Sequence, residues 1–393
     1  MGDTGRFALF LSIALGIWTL FHVYVGWRVH GLLENVTGRR ILVIALVALW
    51  FAYPLGRVLA RVTSSPAAVG VQFLGALWMG ILFLLVFAFL ASEIPTGFGF
   101  LLRDAHRWFR LATLALAGIL SIAALVQGMR PPVVRPHTVV VRDLPLELDG
   151  TVLVHLTDLH LGELLGPRWM MARVRQVDAL NPDLIVITGD LVDGSMDRME
   201  PLIPACEGLQ APWGVWAVTG NHEFYAGVER SAAFMERAGI RVLRDEWAEA
   251  APGLVLIGVD DPTARRQFGR PGADLESILA DAPERGGRIL LAHSPVGGEA
   301  AAANGVDLML SGHTHGGQIW PFGEIVRLAY PMLAGRYDIG RLTVLVSRGT
   351  GTWGPPMRLF RRGEILVVTL RAERPGGGSH AVSSPGTPRT LAH

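Results

Sequence analysis

The first 126 residues of this chain carry four long apolar runs, and in lipid only structures that satisfy every backbone polar group internally survive, which means helices here. Phe7 to Gly26 is about 20 residues without a formal charge, enough to cross the ~30 Å hydrocarbon core as a helix. Ile41 to Leu55 extends toward Ala60 if Arg57 snorkels, and Pro54 predicts a kink near its end. Ala67 to Ala91 is the longest run, and Trp108 to Val126 is the fourth, with Arg110 at its edge. Half of all residues are hydrophobic and the mean hydropathy is +0.38, high for a soluble chain. Cleavage of a signal peptide after the first run would leave three more. The sequence therefore predicts an integral, multi-pass protein of the cell membrane with spans at about 7–26, 41–60, 67–91 and 108–126. His22 reads as a residue reaching the interface, and Arg39-Arg40 as ordinary flanking charge. Arg28, Arg39, Arg40, Arg103 and Arg107 fall in one set of loops, and Arg6, Arg57, Arg61, Arg130, Arg135 and Arg142 in the other, so the positive-inside rule assigns no side to the remainder of the chain.

Charge and composition exclude several chemistries. A formal net charge of +1 makes no case for a nucleic-acid partner. There is no lysine anywhere, which removes Schiff-base and P-loop lysine chemistry. Cys206 is the single cysteine, so neither an intramolecular disulfide nor a thiolate metal cluster exists, and the residue reads as small and buried.

After Gly128-Met129-Arg130-Pro131-Pro132 the periodicity changes to that of an α/β domain. Short β-branched runs at Thr138–Val141, Val152–Leu156, Leu184–Thr188, Val215–Thr219, Leu254–Val259, Ile289–Leu291, Leu308–Leu310, Leu342–Val346 and Ile365–Leu370 predict strands. Arg168–Leu180, Val228–Ala238 and Leu275–Ala280 predict helices among them, with functional loops at the C-terminal ends of the strands. The expected organisation is a transmembrane region over 1–130, a globular domain over 137–371 and, from its Gly, Pro and Ser content, a disordered tail over 372–393.

Chemistry-bearing residues sit just past the ends of five of those strands. They are Asp158 and His160, Asp190 and Asp193, the Gly220-Asn221-His222-Glu223 stretch, His293, and His313 and His315 within Ser311-Gly312-His313-Thr314-His315-Gly316-Gly317-Gln318. Singly each has a bland reading: Asp158 a helix cap, Asp190 a turn, Asn221 a left-handed position, His293 a hydrogen-bonded core histidine. Five strand ends that all deliver oxygen or imidazole donors in one domain are improbable as independent accidents, and a mixed N/O set suits Mn, Fe or Zn.

The order Asp-x-His, Gly-Asp-x-x-Asp, Gly-Asn-His-Glu, His, Gly-His-x-His resembles the calcineurin-like metallophosphoesterase family over about 138–371, and the ending Ser347-Arg348-Gly349-Thr350-Gly351-Thr352-Trp353-Gly354-Pro355-Pro356 resembles its membrane-associated YkuE-like branch. The resemblance implies a four-layer α/β/β/α sandwich of two mixed sheets with a dinuclear site at their common edge. It also implies two divalent ions, one on Asp158, His160 and His315 and one on Asn221, His293 and His313, bridged by Asp190, and a phosphoester substrate. His222 would face the phosphoryl group as the catalytic proton donor or charge stabiliser, Asp193 and Glu223 would orient imidazoles, and Arg348 is a candidate phosphate contact. Gly194 stands where protein phosphatases of the superfamily carry an arginine, which argues against phosphoprotein substrates, and the YkuE-like resemblance implies a small or lipid-linked phosphoester instead. The alternative is a membrane sensor or scaffold that keeps the fold without activity, but such a protein is expected to have lost ligands. A β-lactamase-like hydrolase would cluster His-x-His-x-Asp-His in one loop, which this chain lacks.

Overall fold

The computed structural model describes residues 3–63, 65–97 and 106–373, without the side chains at 3–8, 10, 60, 61 and 106. Four helices come first: α1 (Asp3–His30), α2 (Val36–Val62), α3 (Pro66–Thr96) and α4 (His106–Met129). Local chemistry sets their ends. Asn35 caps α2 by accepting the Gly38 N–H, Ser65 caps α3 by accepting the Ala68 N–H with Pro66 in the first turn, and α3 stops at Gly97 in the left-handed region. Pro54 lies inside α2, which continues past it to Val62.

Among the described residues three segments are long and apolar enough to cross a membrane: Val36–Leu59, Pro66–Thr96 and Arg107–Met129. The expected run 7–26 falls within α1, part of whose side chains lies outside the described residues, so the fourth span rests on the sequence alone. The expected tail lies outside them too, from residue 374 onward.

The helices pack through glycine. A Cβ on Gly56 would sit 2.5 Å from Gln72 Cα, and one on Gly75 2.5 Å from Tyr53 Cα, so α2 and α3 touch backbone to backbone.

Twelve strands come next: β1 (Val133–Val141), β2 (Val152–Leu156), β3 (Leu184–Thr188), β4 (Val215–Val218), β5 (Arg241–Val242), β6 (Glu246–Ala251), β7 (Leu254–Val259), β8 (Gly287–Ala292), β9 (Leu308–Ser311), β10 (Gly335–Ile339), β11 (Leu342–Val346) and β12 (Glu364–Ala372). They form two mixed six-stranded sheets, in the orders β1-β12-β2-β3-β4-β5 and β10-β11-β9-β8-β7-β6. Within them β2, β3, β4 and β5 run parallel in the first sheet, and β7, β8, β9 and β11 in the second.

Side-chain alternation shows how the sheets stack. Leu153, Leu184, Val186, Trp216 and Val218 of the first sheet share a buried cluster with Leu254, Leu256, Ile289, Leu291 and Leu310 of the second. Their alternates Val154, Ile185 and Ile187 pack instead on α5 (Pro167–Asp178), α6 (Ile203–Cys206) and α8 (Val228–Arg237), α7 being the short Asn221–Ala226 turn of helix. On the far side Val255, Ile257 and Leu290 meet α10 (Leu275–Asp281) and α11 (Gly298–Ala303), which come after α9 (Pro262–Gln267). One more helix, α12 (Phe322–Ala329), lies after β9. The layering is helix, sheet, sheet, helix, and Cys206 is fully buried in the first outer core.

Several elements depart from the sequence reading. β1 starts at Val133 and runs through Pro136, which an edge strand tolerates because its outer N–H needs no ladder partner. β5, β6 and β10 are half-exposed edge strands whose polar residues hid them. The stretch from Val126 to Thr138 comprises the end of α4, a short link and most of β1. The two parts pack directly: the Arg358 N–H donates to Ala124 O at 2.8 Å, the Phe360 N–H to Gln127 Oε1 at 3.0 Å, and Leu84 and Ala124 share a buried cluster with Ile319, Met357 and Leu359.

That seam predicts a contrast within α4. A Cβ at Gly128 would sit 2.8 Å from Met357 Cα, whereas nothing lies within 4 Å of one at Gly118. Gly128→Ala should lower stability by about 1–3 kcal/mol through overpacking against backbone, while Gly118→Ala changes it by under about 1 kcal/mol. Thermal melts of the two full-length variants in one detergent check the difference.

Candidate metal centre

The parallel strands of both sheets deliver their C-terminal ends to one place, and tight backbone lets the side chains turn inward there. Asp158, His160, Asp190, His313 and His315 all have positive φ, between 48° and 68°. Left-handed geometry in non-glycine residues costs free energy and is held only where the surroundings enforce it. Part of that enforcement is visible: the His313 N–H points at both Asp158 carboxylate oxygens at 3.1 Å, and the His222 N–H donates to Asp190 Oδ1 at 2.8 Å.

Two corners result. In one, His160 Nε2 and His315 Nε2 face each other at 3.0 Å, with Asp158 Oδ1 3.4 Å from His315 Nε2. In the other, Asn221 Oδ1 lies 3.0 Å from His313 Nδ1 and 3.1 Å from His293 Nε2, and the two ring nitrogens are 3.1 Å apart. Asp190 Oδ2 is 3.7 Å from His160 Nε2 and 3.3 Å from His293 Nε2, so it faces both corners. A shell of bonds about 2.1 Å long places adjacent ligand atoms about 3.0–3.4 Å apart, so the donor spacing fits a cation in each corner. The structure thus brings the seven residues singled out from the sequence into one cluster.

The electrostatics suit that use. Burial and neighbouring His222 push His160 down to about 3, and burial with His160 beside it keeps His315 well below the ordinary imidazole range. Burial and His293 take His313 down to about 4. These rings stay neutral, the form that coordinates a cation. His293 goes the other way: burial opposes its charge, but Asp190 outweighs it.

His222 stands beside the corners, its ring 4.6 Å from that of His160 and its Nδ1 3.3 Å from Asp193 Oδ1. Burial works against its charge, yet Asp190 and the Asp193 hydrogen bond raise its pKa to about 9. Glu223, expected on an imidazole, instead accepts backbone N–H groups from Asp190 at 2.9 Å, Leu191 at 2.8 Å, Val192 at 3.2 Å and Gly220 at 2.7 Å. It ties the loop after β3 to the loop after β4. Arg348 turns toward Glu364, with its backbone N–H on Glu364 Oε1 at 2.9 Å and its guanidinium 4.0 Å from the other oxygen.

Four neighbours escaped the sequence reading. Arg57 of α2, expected only to snorkel, reaches Asp193 Oδ1 at 3.5 Å. Arg358 is buried and donates to the carbonyls of Gly351 at 2.6 Å and Arg348 at 2.8 Å beside His315 Nδ1. Tyr330 Oη lies 2.9 Å from His313 Nε2, and the Trp353 ring 6.0 Å from that of His222. Arg57 carried one usable signal, a charge inside an otherwise apolar run.

Imidazoles and carboxylates at the C-terminal ends of strands from two stacked sheets define an α/β domain built around a cation site. A family model described as calcineurin-like phosphoesterase matches residues 151–317. An uncharacterized metallophosphoesterase of Aquifex aeolicus is 36% identical over 243 residues, 61% of this chain and 92% of that protein. A transmembrane protein with metallophosphoesterase domain from Danio rerio is 35% identical over 276 residues, 67% of this chain and 63% of its own length, so this chain spans under two thirds of that relative. The uncharacterized metallophosphoesterase YkuE of Bacillus subtilis is 32% identical over 247 residues, 60% of this chain and 84% of that protein. The chain belongs to the calcineurin-like metallophosphoesterase family.

Glu223→Gln should destabilise the fold by roughly 2–4 kcal/mol, because an amide NH2 would confront the N–H donors that the carboxylate accepts. Thermal unfolding of the variant against the parent protein is the check, and an unchanged midpoint would contradict this account of the loops.

Proposed function

We propose that this protein is a membrane-anchored phosphoesterase with a dinuclear metal centre that hydrolyses phosphoester or pyrophosphate bonds of amphipathic substrates, lipids or lipid-linked phosphates, at the bilayer. The observation that carries the reading is the pair of donor corners with one carboxylate facing both. Asp158, His160 and His315 would hold one divalent cation, and Asn221, His293 and His313 the other, with Asp190 shared; Mn, Fe and Zn all suit this set. When bound, two such ions polarise phosphoryl oxygens and lower the pKa of a water.

The residues of the chain itself do the rest. Asp193 occupies Nδ1 of His222 and favours its charged ring, leaving Nε2 as the atom that gives a proton to the departing oxygen or stabilises its charge. Asp193 is in turn paired with Arg57 on α2, near the end of the apolar segment Val36–Leu59. A membrane helix and the proton-donating histidine thus share one carboxylate, which supports a substrate whose phosphate arrives at the bilayer surface. The domain boundaries 1–130 and 137–371 and the four-span, multi-pass topology belong to this proposal.

Chelation of the full-length protein in detergent should abolish hydrolysis of generic phosphoesters, and Mn²⁺ should restore it. Loss of neither metal nor activity on chelation, or inactivity of a folded, metal-loaded protein toward every phosphoester, would sink the reading. His222→Ala should keep its metal by elemental analysis and lose roughly 10²–10⁴-fold in kcat, while Asp190→Asn should lose both ions together. For the lipid substrate, kcat/KM in liposomes should exceed that for the soluble headgroup analogue, and equal values count against it.

A further inference from the structure

The helix after the Gly-His-x-His loop is apolar on its outer side. Phe322, Ile325 and Leu328 of α12 recur at three-residue spacing, on one face of a helix, and are 41%, 58% and 86% exposed. Polar residues take another side: Glu324 pairs with Arg327 at 3.4 Å and with Arg361 at 4.0 Å. A face of this kind calls for a partner, and the contacts of α12 identify it.

The Phe322 ring packs edge-on against Phe83 of α3 at 5.8 Å, and the adjoining Trp320 against Phe87 at 5.4 Å. The helix α3 is 31 residues long, from 66 to 96, and all of it is apolar enough to span a membrane. About 20 residues of helix cross the hydrocarbon core. A window of that length covers 66–85 at one extreme of α3 and 77–96 at the other, so every placement contains 77–85, and Phe83 with it. A ring touching Phe83 is therefore at acyl-chain depth wherever the bilayer sits. We infer that α12 is a membrane-inserted helix whose Phe322, Ile325 and Leu328 face lies among lipid acyl chains, continuous with the lipid-facing surface of α3.

Insertion reaches the metal centre through short connections. A Cβ on Gly317 would collide with Gly323 Cα, so the backbone at the start of α12 lies directly against the loop of His315. At its other end Tyr330 Oη meets His313 Nε2 at 2.9 Å. Lipid contact on α12 thus braces both histidines of that loop. The inference does not depend on catalysis, since its readout is depth.

The test is a fluorophore at Leu328→Cys in the full-length protein, reconstituted in phosphatidylcholine and phosphatidylglycerol liposomes. The native Cys206 is buried, with its thiol pushed up to about 12 chiefly by burial, so it takes little label. An environment-sensitive probe at position 328 should emit to the blue, be quenched at least twofold by nitroxide on the lipid acyl chains, and resist aqueous iodide. The same probe at the exposed Glu299→Cys should show the reverse. Iodide access at 328 would overturn the inference. So would protection from both quenchers, which would place the face against a second copy of the chain. Ile325→Cys repeats the measurement if Leu328→Cys does not fold.

Discussion

The constraint on which this molecule turns is the burial of Asp190. Its carboxylate is nearly inaccessible to water, and an isolated buried carboxylate is so costly that it survives only when charge or hydrogen bonds surround it. Here the surroundings come from both sheets: His160 from the first, His293 from the second, and the His222 amide from the short helix α7. Glycine makes the approach feasible. A Cβ on Gly220 would collide with Asp190 Oδ1, one on Gly312 with Asp158 Oδ2, and Gly189 turns at φ +81° against the Gly220 backbone.

The second dependence runs between the bundle and the domain. The segment from Trp353 to Phe360 faces the helices through Met357, Leu359 and the Arg358 amide, and faces the centre through Trp353 and the Arg358 guanidinium. Backbone contact at Gly128 on one side and the Arg358 guanidinium against Gly349 on the other leave this segment little freedom. Helix α2 is tied to the same frame through its glycine contacts with α3, and so Arg57 arrives at Asp193 by packing that begins elsewhere. The apolar helices are thus part of the site's architecture.

Legibility in the sequence tracked burial. The central strands β2, β3, β7, β9 and β11 match their predicted runs to within a residue because strands covered on both faces are continuous β-branched and aliphatic stretches. The edge strands β5, β6 and β10 and the early start of β1 were not legible, since half-exposed elements mix polar and apolar residues without a clean period. The same division holds at the centre. The donor residues stood out because each lies just past a strand end, whereas Glu223 was assigned to the wrong kind of partner, Arg57 signalled only by its charge within an apolar run, and Arg358 and Tyr330 had no local signal of their role.

The sequence by itself determined what is periodic or local: apolar runs of membrane length, the buried strands, the chemical type of each donor, and the absence of lysine and of a second cysteine. Only the tertiary structure decided what depends on two distant segments meeting: which nitrogens share a corner, that Asp190 faces both, that Glu223 clamps backbone, and that an arginine of a membrane helix ends on Asp193. The reason is physical. A side chain's chemistry and a strand's period are properties of neighbours along the chain, but a distance of 3.0 Å between residues more than a hundred positions apart, as for His160 and His315, is set by how whole sheets and helices pack.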